Sequence, residues 1–261
     1  MGRLAEAIES AATVVRVVYE QDVKYPAAAL AYYAFVAFIP LLMLLFALVG
    51  ERLVTRIHGT TPEFLTPGAQ RLVYEATTTA TGRTWAALFA VGVLAWSSAN
   101  VAVGFLAVVE RIERVPERPL GSQVRDAVVV LGSIGLAIVA IVGTSALFPL
   151  PPVGPVAGLS GVVVLVLALT VAFLPMYYVP SRSATTPSAA LPGALVTAFG
   201  WTLVHTGVHY YAANAGRYAI YGVLSGVIII LTSLYLAAVL LMVGIVVNAT
   251  LEAPGTSRLG T

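Results

Sequence analysis

The sequence predicts an all-α polytopic membrane protein: a compact bundle of six transmembrane helices with an N-terminal interfacial helix. Three observations carry that expectation. Between Asp126 and Glu252 only Arg182 and Arg217 bear a formal charge. Over 261 residues, 59% are hydrophobic and only 10% charged, with a mean hydropathy of +0.93, whereas soluble domains carry charge on about a quarter of their residues. Finally, the apolar residues gather into runs able to cross a hydrocarbon core of about 30 Å, which takes roughly 20 residues as a helix.

Before the first run, residues 3–20 place Leu4, Ile8, Ala11, Val15 and Val18 on one helical face and Arg3, Glu6, Ser10, Thr13 and Glu20 on the other. Segment 1–24 therefore reads as a helix lying in the inner membrane interface, or equally as a polar-faced helix packed under the bundle. Glu6, Glu9, Glu20 and Asp22 precede any long apolar stretch, so no cleavable secretory signal is expected. Spans follow at about 27–49, 86–109, 127–148, 157–179, 189–211 and 223–247, and the whole of 1–261 forms one membrane domain. Backbone groups facing lipid must pair within their own segment, which demands helices. Runs such as Val128-Val129-Val130-Leu131 and Ile228-Ile229-Ile230-Leu231 lack the alternation of a barrel strand. Segment 50–84, with Pro62 and Pro67 around Glu63-Phe64-Leu65, reads as an external loop.

Arginine and lysine placement sets the orientation. With a cytoplasmic N-terminus, nine basic residues fall inside and five outside, and the segment 110–126 alone holds Arg111, Arg114, Arg118 and Arg125. Both termini are expected on the cytoplasmic side of the plasma membrane. Fourteen basic and twelve acidic residues nearly cancel, so the partner is the lipid bilayer and not a nucleic acid. No cysteine is present, which removes disulfides, thiolate metal sites and cysteine nucleophiles.

Polar residues at membrane depth are the sharpest local signal, because each needs a partner or water. Span two carries Ser97 and Asn100; span five carries Trp201, His205 and His209 at i, i+4 and i+8, leading to Tyr211 and Asn214. Span six carries Ser225, Thr232 and Ser233 and ends at Asn248. Two imidazoles one turn apart could exchange protons near neutral pH. A metal site is not expected, since the metalloprotease pattern H-E-x-x-H becomes His205-Thr206-Gly207-Val208-His209. The spans contain no Asp or Glu, so neither catalysis nor a cofactor is expected. Among structural signals, Pro40 should kink span one, and the spacing of Gly154 with Gly158, of Gly222 with Gly226, and of Gly132, Gly135 and Gly143 suggests close helix packing.

Three blocks then bring a family into view: Ala27-Ala28-Ala29-Leu30-Ala31-Tyr32-Tyr33-Ala34-Phe35 followed by Pro40; Tyr211 and Asn214 through Tyr218-Ala219-Ile220-Tyr221-Gly222; and Gly244 to Asn248-Ala249. In their order and spacing the chain resembles the YihY/BrkB family of microbial membrane proteins, historically confused with a ribonuclease. The resemblance implies a six-span layout and points to Tyr32, Pro40, Trp201, Tyr211, Asn214, Tyr218, Tyr221, Gly222 and Asn248. It also implies transport of lipid-like or amphiphilic molecules. One departure stands out: the family often has an acidic residue two places before the final Asn, where this chain has Val246.

The leading expectation is a carrier of a small or amphiphilic solute through a cavity between spans one, two, five and six. Its candidate lining residues are Tyr32, Ser97, Asn100, Trp201, His205, His209, Tyr211, Asn214 and Asn248, with Pro40, Tyr218, Tyr221 and Gly222 as structural residues. The alternative is a non-transporting structural or assembly protein whose intramembrane polar residues serve helix packing.

Overall fold

Long apolar runs leave the backbone one way to satisfy its polar groups, and among the described residues every regular element is helical. The computed structural model describes residues 12–49, 80–115, 119–147, 155–214 and 223–252. A helical run over 12–20, α1, precedes α2 (Lys24–Val49), α3 (Ala80–Glu113), α4 (Leu120–Leu147), α5 (Pro155–Tyr178), α6 (Pro187–Ala213) and α7 (Val223–Glu252). Five of these, α3 to α7, contain stretches long and apolar enough to cross a membrane. The first expected span corresponds to α2, 26 residues long and helical through Pro40; part of its second half has side chains outside the described residues.

Each helix from α2 onward packs on the next, α7 returns to α2, and α3 also reaches α7. Phe105, Leu169, Phe173, Met176 and Met242 are the largest apolar side chains fully buried between them. Phe173 meets Trp201 edge-to-face at 4.9 Å between ring centroids, a geometry worth about 1 kcal/mol beyond area burial.

Helix ends follow local chemistry. Asp22 (φ 48°) and Arg114 (φ 53°) adopt the left-handed conformation that closes α1 and α3. In each case the next amide reaches back five residues, Val23 N–H to Val18 O and Val115 N–H to Glu110 O, the six-to-one bond of a Schellman cap. The start of α6 is capped by the Thr186 hydroxyl, which accepts from the Ala189 amide, with Pro187 opening the first turn. Just ahead of the apolar part of α2, Lys24 pairs with Asp22 at 3.3 Å, and that hydrogen bond raises its ammonium pKa above the usual value.

Some expectations change. The external loop was expected through residue 84, yet α3 begins at Ala80: the segment Ala80-Thr81-Gly82-Arg83-Thr84 holds no proline, and a single glycine costs a helix only about 1 kcal/mol. Residues 50–79 and 1–11 lie outside the described residues. In α1, Val18 packs toward the core, whereas Val15 and Tyr19 are exposed. The glycines of the third span do not pack: a Cβ at Gly132, Gly135 or Gly143 would meet nothing within 4 Å, and Gly226 is equally open. Gly154, Gly158 and Gly222 lie outside the described residues or side chains. Spacing creates a flat helix stripe, but only the assembled bundle decides whether a neighbour fills it.

Candidate functional site

The tight crossing lies between α6 and α7. A Cβ at Gly193 would overlap the Gly244 carbonyl oxygen and come within 2.6 Å of Asn248 Nδ2; one at Gly244 would overlap the Tyr177 and Thr197 hydroxyls. Backbones that approach this closely let short side chains reach across. Thr197 Oγ1 donates to Leu240 O at 3.1 Å, Tyr177 Oη donates to Leu241 O at 2.9 Å, and the two hydroxyl oxygens lie 2.6 Å apart. Two hydroxyl protons serve these three contacts, so one is shared. Trp201 Nε1 donates to Ala237 O at 3.0 Å farther along the same seam. Tyr177→Phe is expected to cost about 1 kcal/mol in unfolding free energy, measured in mixed micelles, without changing the helix content.

Pro192 lacks an amide and interrupts the hydrogen-bond ladder of α6. Beside that interruption the Asn248 carboxamide bridges to α6: its Oδ1 accepts the Gly193 amide at 2.7 Å and its Nδ2 donates to Ala190 O at 3.2 Å. Asn248 is 3% exposed, so a group of the opposite polarity is matched in both directions where water is excluded.

Next to Asn248 a cleft opens between α3, α5 and α7, lined by Val109, Glu113, Met176, Tyr177, Ser181, Ile245 and Asn248. Its free space of about 10 Å³ is close to the minimum for one water. Glu113 lines it from the last position of α3. Ser181 Oγ donates to Glu113 Oε1, as does Ser183 Oγ at 2.7 Å; the Arg182 amide donates to Oε2 at 2.7 Å, and the Ser183 amide approaches Oε1 at 3.5 Å. Ser181 Oγ in turn accepts the Ala184 amide at 2.8 Å. The α5–α6 turn is thereby strapped to the end of α3. Arg111, Arg114, Arg125 and Arg182 lie exposed in this terminal region of the bundle.

Of the residues singled out from the sequence, Asn248 lines this cleft, and the others stand as follows. Trp201 contacts Phe173 and α7. Ser97, fully buried, donates to Tyr33 O and so ties α3 to α2. Asn100 bonds back to Trp96 O at 2.8 Å within α3, and Asn214 bonds Tyr210 O at 2.9 Å while capping α6. His205 Nε2 lies 3.3 Å from Ser145 Oγ of α4, whereas His209 is exposed, Tyr211 is half-buried and Tyr32 is exposed. Thr202, Thr206 and Ser233 donate to carbonyls four residues earlier in their own helices. Pro40 is buried within α2. Tyr218, Tyr221 and Gly222 lie outside the described residues.

Sequence reasoning missed Glu113, Tyr177, Ser181, Ser183 and Thr197. The short polar turn Ser181-Arg182-Ser183 after Pro180 was visible, but its partner stands some 70 residues away.

Residues 14–259 match the family described as Virulence factor BrkB. The chain belongs to the BrkB family. As a BrkB-family member with several long apolar helices it is an integral, multi-pass membrane protein. It is 29% identical over 87 residues to the ribonuclease-like protein YfkH of Bacillus subtilis (strain 168), a match covering 33% of this chain and 32% of YfkH. The comparison thus spans about a third of that relative, and the nuclease wording belongs to YfkH's name. No solved structure matches this BrkB-family chain.

Proposed function

We propose that this BrkB-family chain is a carrier of a small or amphiphilic, lipid-like solute in the plasma membrane. In this reading α2 to α7 are six spans, both termini face the cytoplasm, α1 lies in the inner interface and residues 50–79 lie outside. The arginine-rich end of the bundle is then cytoplasmic. The observation that carries the proposal is the cleft at that end, where Glu113, Ser181 and Asn248 bring polar groups between apolar helices, beside the helix interrupted at Pro192. Polar groups gathered between apolar helices beside a helix proline are what a carrier could present to its solute.

His205 and His209, toward the opposite end of α6, are the proposed proton-responsive pair. In reconstituted vesicles, replacing both with leucine is expected to abolish the pH dependence of uptake or flipping of an amphiphile; unchanged transport and pH response discard their role. Absence of protein-dependent movement for a range of lipids, lipid precursors and small solutes would discard the carrier reading itself.

One observation favours a second reading, a non-transporting structural or assembly protein. Tyr177, Thr197, Trp201 and Asn248 already direct hydrogen bonds to neighbouring helices. That reading expects their substitution to lower stability and expects no solute-dependent thermal shift. No nuclease step is proposed: among the described residues no group of three or more His, Asp or Glu side chains is arranged to hold a metal ion.

A further inference from the structure

We propose that the turn Ser181–Ala184 is an oxyanion-binding site for the phosphate or carboxylate head of the transported amphiphile, held closed in this structure by the chain's own Glu113. This deepens the carrier reading by naming a head-group class. The donors converge as an anion site requires. Two hydroxyls and the Arg182 amide deliver protons to one carboxylate, with the Ser183 amide directed to the same group at 3.5 Å. Consecutive backbone N–H groups turned toward a common centre form an anion-binding concavity. The Ala184 amide occupies the acceptor side of Ser181 Oγ, which leaves that hydroxyl's proton to point at the anion. A cation would find little here, because the turn presents protons to the site and its carboxylate is already engaged.

Glu113 is suited to be a displaceable occupant. It is the last residue of α3, where the helix dipole disfavours a negative charge, and the left-handed Arg114 follows it. Its carboxylate is therefore held by the turn's donors against the field of its own helix. Arg182 is exposed and its guanidinium makes no ion pair among the described residues. Glu110, one turn earlier on α3, is the nearby acid on the same helix and has contacts of its own; Arg111 and Arg114 flank it as exposed cations. An incoming oxyanion would exchange with Glu113 for the same donors and gain Arg182. Behind the carboxylate, Val109, Met176 and Ile245 give the cleft apolar walls, which suit the first carbons of an attached chain. Since the free space is about 10 Å³, room for little more than a water, a head group enters only by displacing the Glu113 side chain.

The test measures binding without any gradient, so failure of the site and failure of transport are separate results. Purified wild type, Glu113→Ala, Glu113→Gln and the double variant Glu113→Ala/Ser183→Ala are titrated in neutral detergent with inorganic phosphate. The same proteins are titrated with micelles containing phosphatidylglycerol or, as the uncharged-surface control, phosphatidylcholine. Glu113→Ala is expected to bind phosphate or phosphatidylglycerol at least about tenfold more tightly than wild type, and loss of Ser183 to return most of that gain. Glu113→Gln keeps the side chain's volume and an acceptor for the turn; it is expected to fall between the two, and it carries the test if the alanine variant does not fold. A response to phosphatidylglycerol alone assigns the site to a lipid head group, and a response to both assigns it to any such oxyanion. Equal affinities in wild type and every folded variant, or no anion binding by the folded Glu113 variants, overturn the proposal.

Discussion

Gly193→Ala is expected to lower the unfolding free energy by about 3 kcal/mol, combining overpacking with a disrupted buried hydrogen bond. The added methyl meets the Gly244 backbone oxygen and the Asn248 side chain. The backbone can move only by separating α6 from α7, and Asn248 can move only by releasing Gly193 and Ala190. Equilibrium unfolding in mixed micelles measures the loss. Gly132→Ala and Gly207→Ala are the controls: their Cβ positions meet nothing within 4 Å, so these variants should be neutral or more stable by up to about 1 kcal/mol through helix propensity. Equal losses at all three positions would remove the close crossing from the explanation.

Asn248→Ala is expected to cost about 2–3 kcal/mol, because truncation leaves the Gly193 amide without its buried acceptor. The loss is larger than for an exposed contact because Asn248 is 3% exposed and bonds the α6 backbone through both ends of its carboxamide. Combining Asn248→Ala with Gly193→Ala should cost less than the sum of the singles, since the alanine at 248 removes one of the groups the new methyl strikes. Full additivity would mean that the two residues act independently. If Asn248→Ala leaves stability unchanged yet abolishes solute movement, its role is in binding and the seam argument is wrong.

Much of the architecture was legible because its cause is local. Lipid cannot hydrogen-bond a backbone, so long apolar runs become helices wherever they occur: the run at 189–211 became α6 with shifts of two residues at each end, and the run at 127–148 became α4, which starts seven residues earlier, at Leu120. End positions were less legible: α3 extends to Glu113 and α7 to Glu252, because helices continue past hydrocarbon when no breaker intervenes. The candidate site was legible at Asn248 and little else. The histidine stripe on α6 was visible as spacing, but the tertiary arrangement sets His205 beside Ser145 of α4 and leaves His209 exposed.

Composition and apolar run length by themselves determined that this BrkB-family chain is helical and belongs in a membrane, since those properties depend on transfer of each segment from water to lipid. Only the tertiary structure decided which glycines are crowded, that Asn248 braces the α6 backbone, and that Glu113 occupies the Ser181–Ala184 turn. Those contacts depend on the relative rotation of helices far apart in the chain, a choice that periodic patterning within any one helix does not encode.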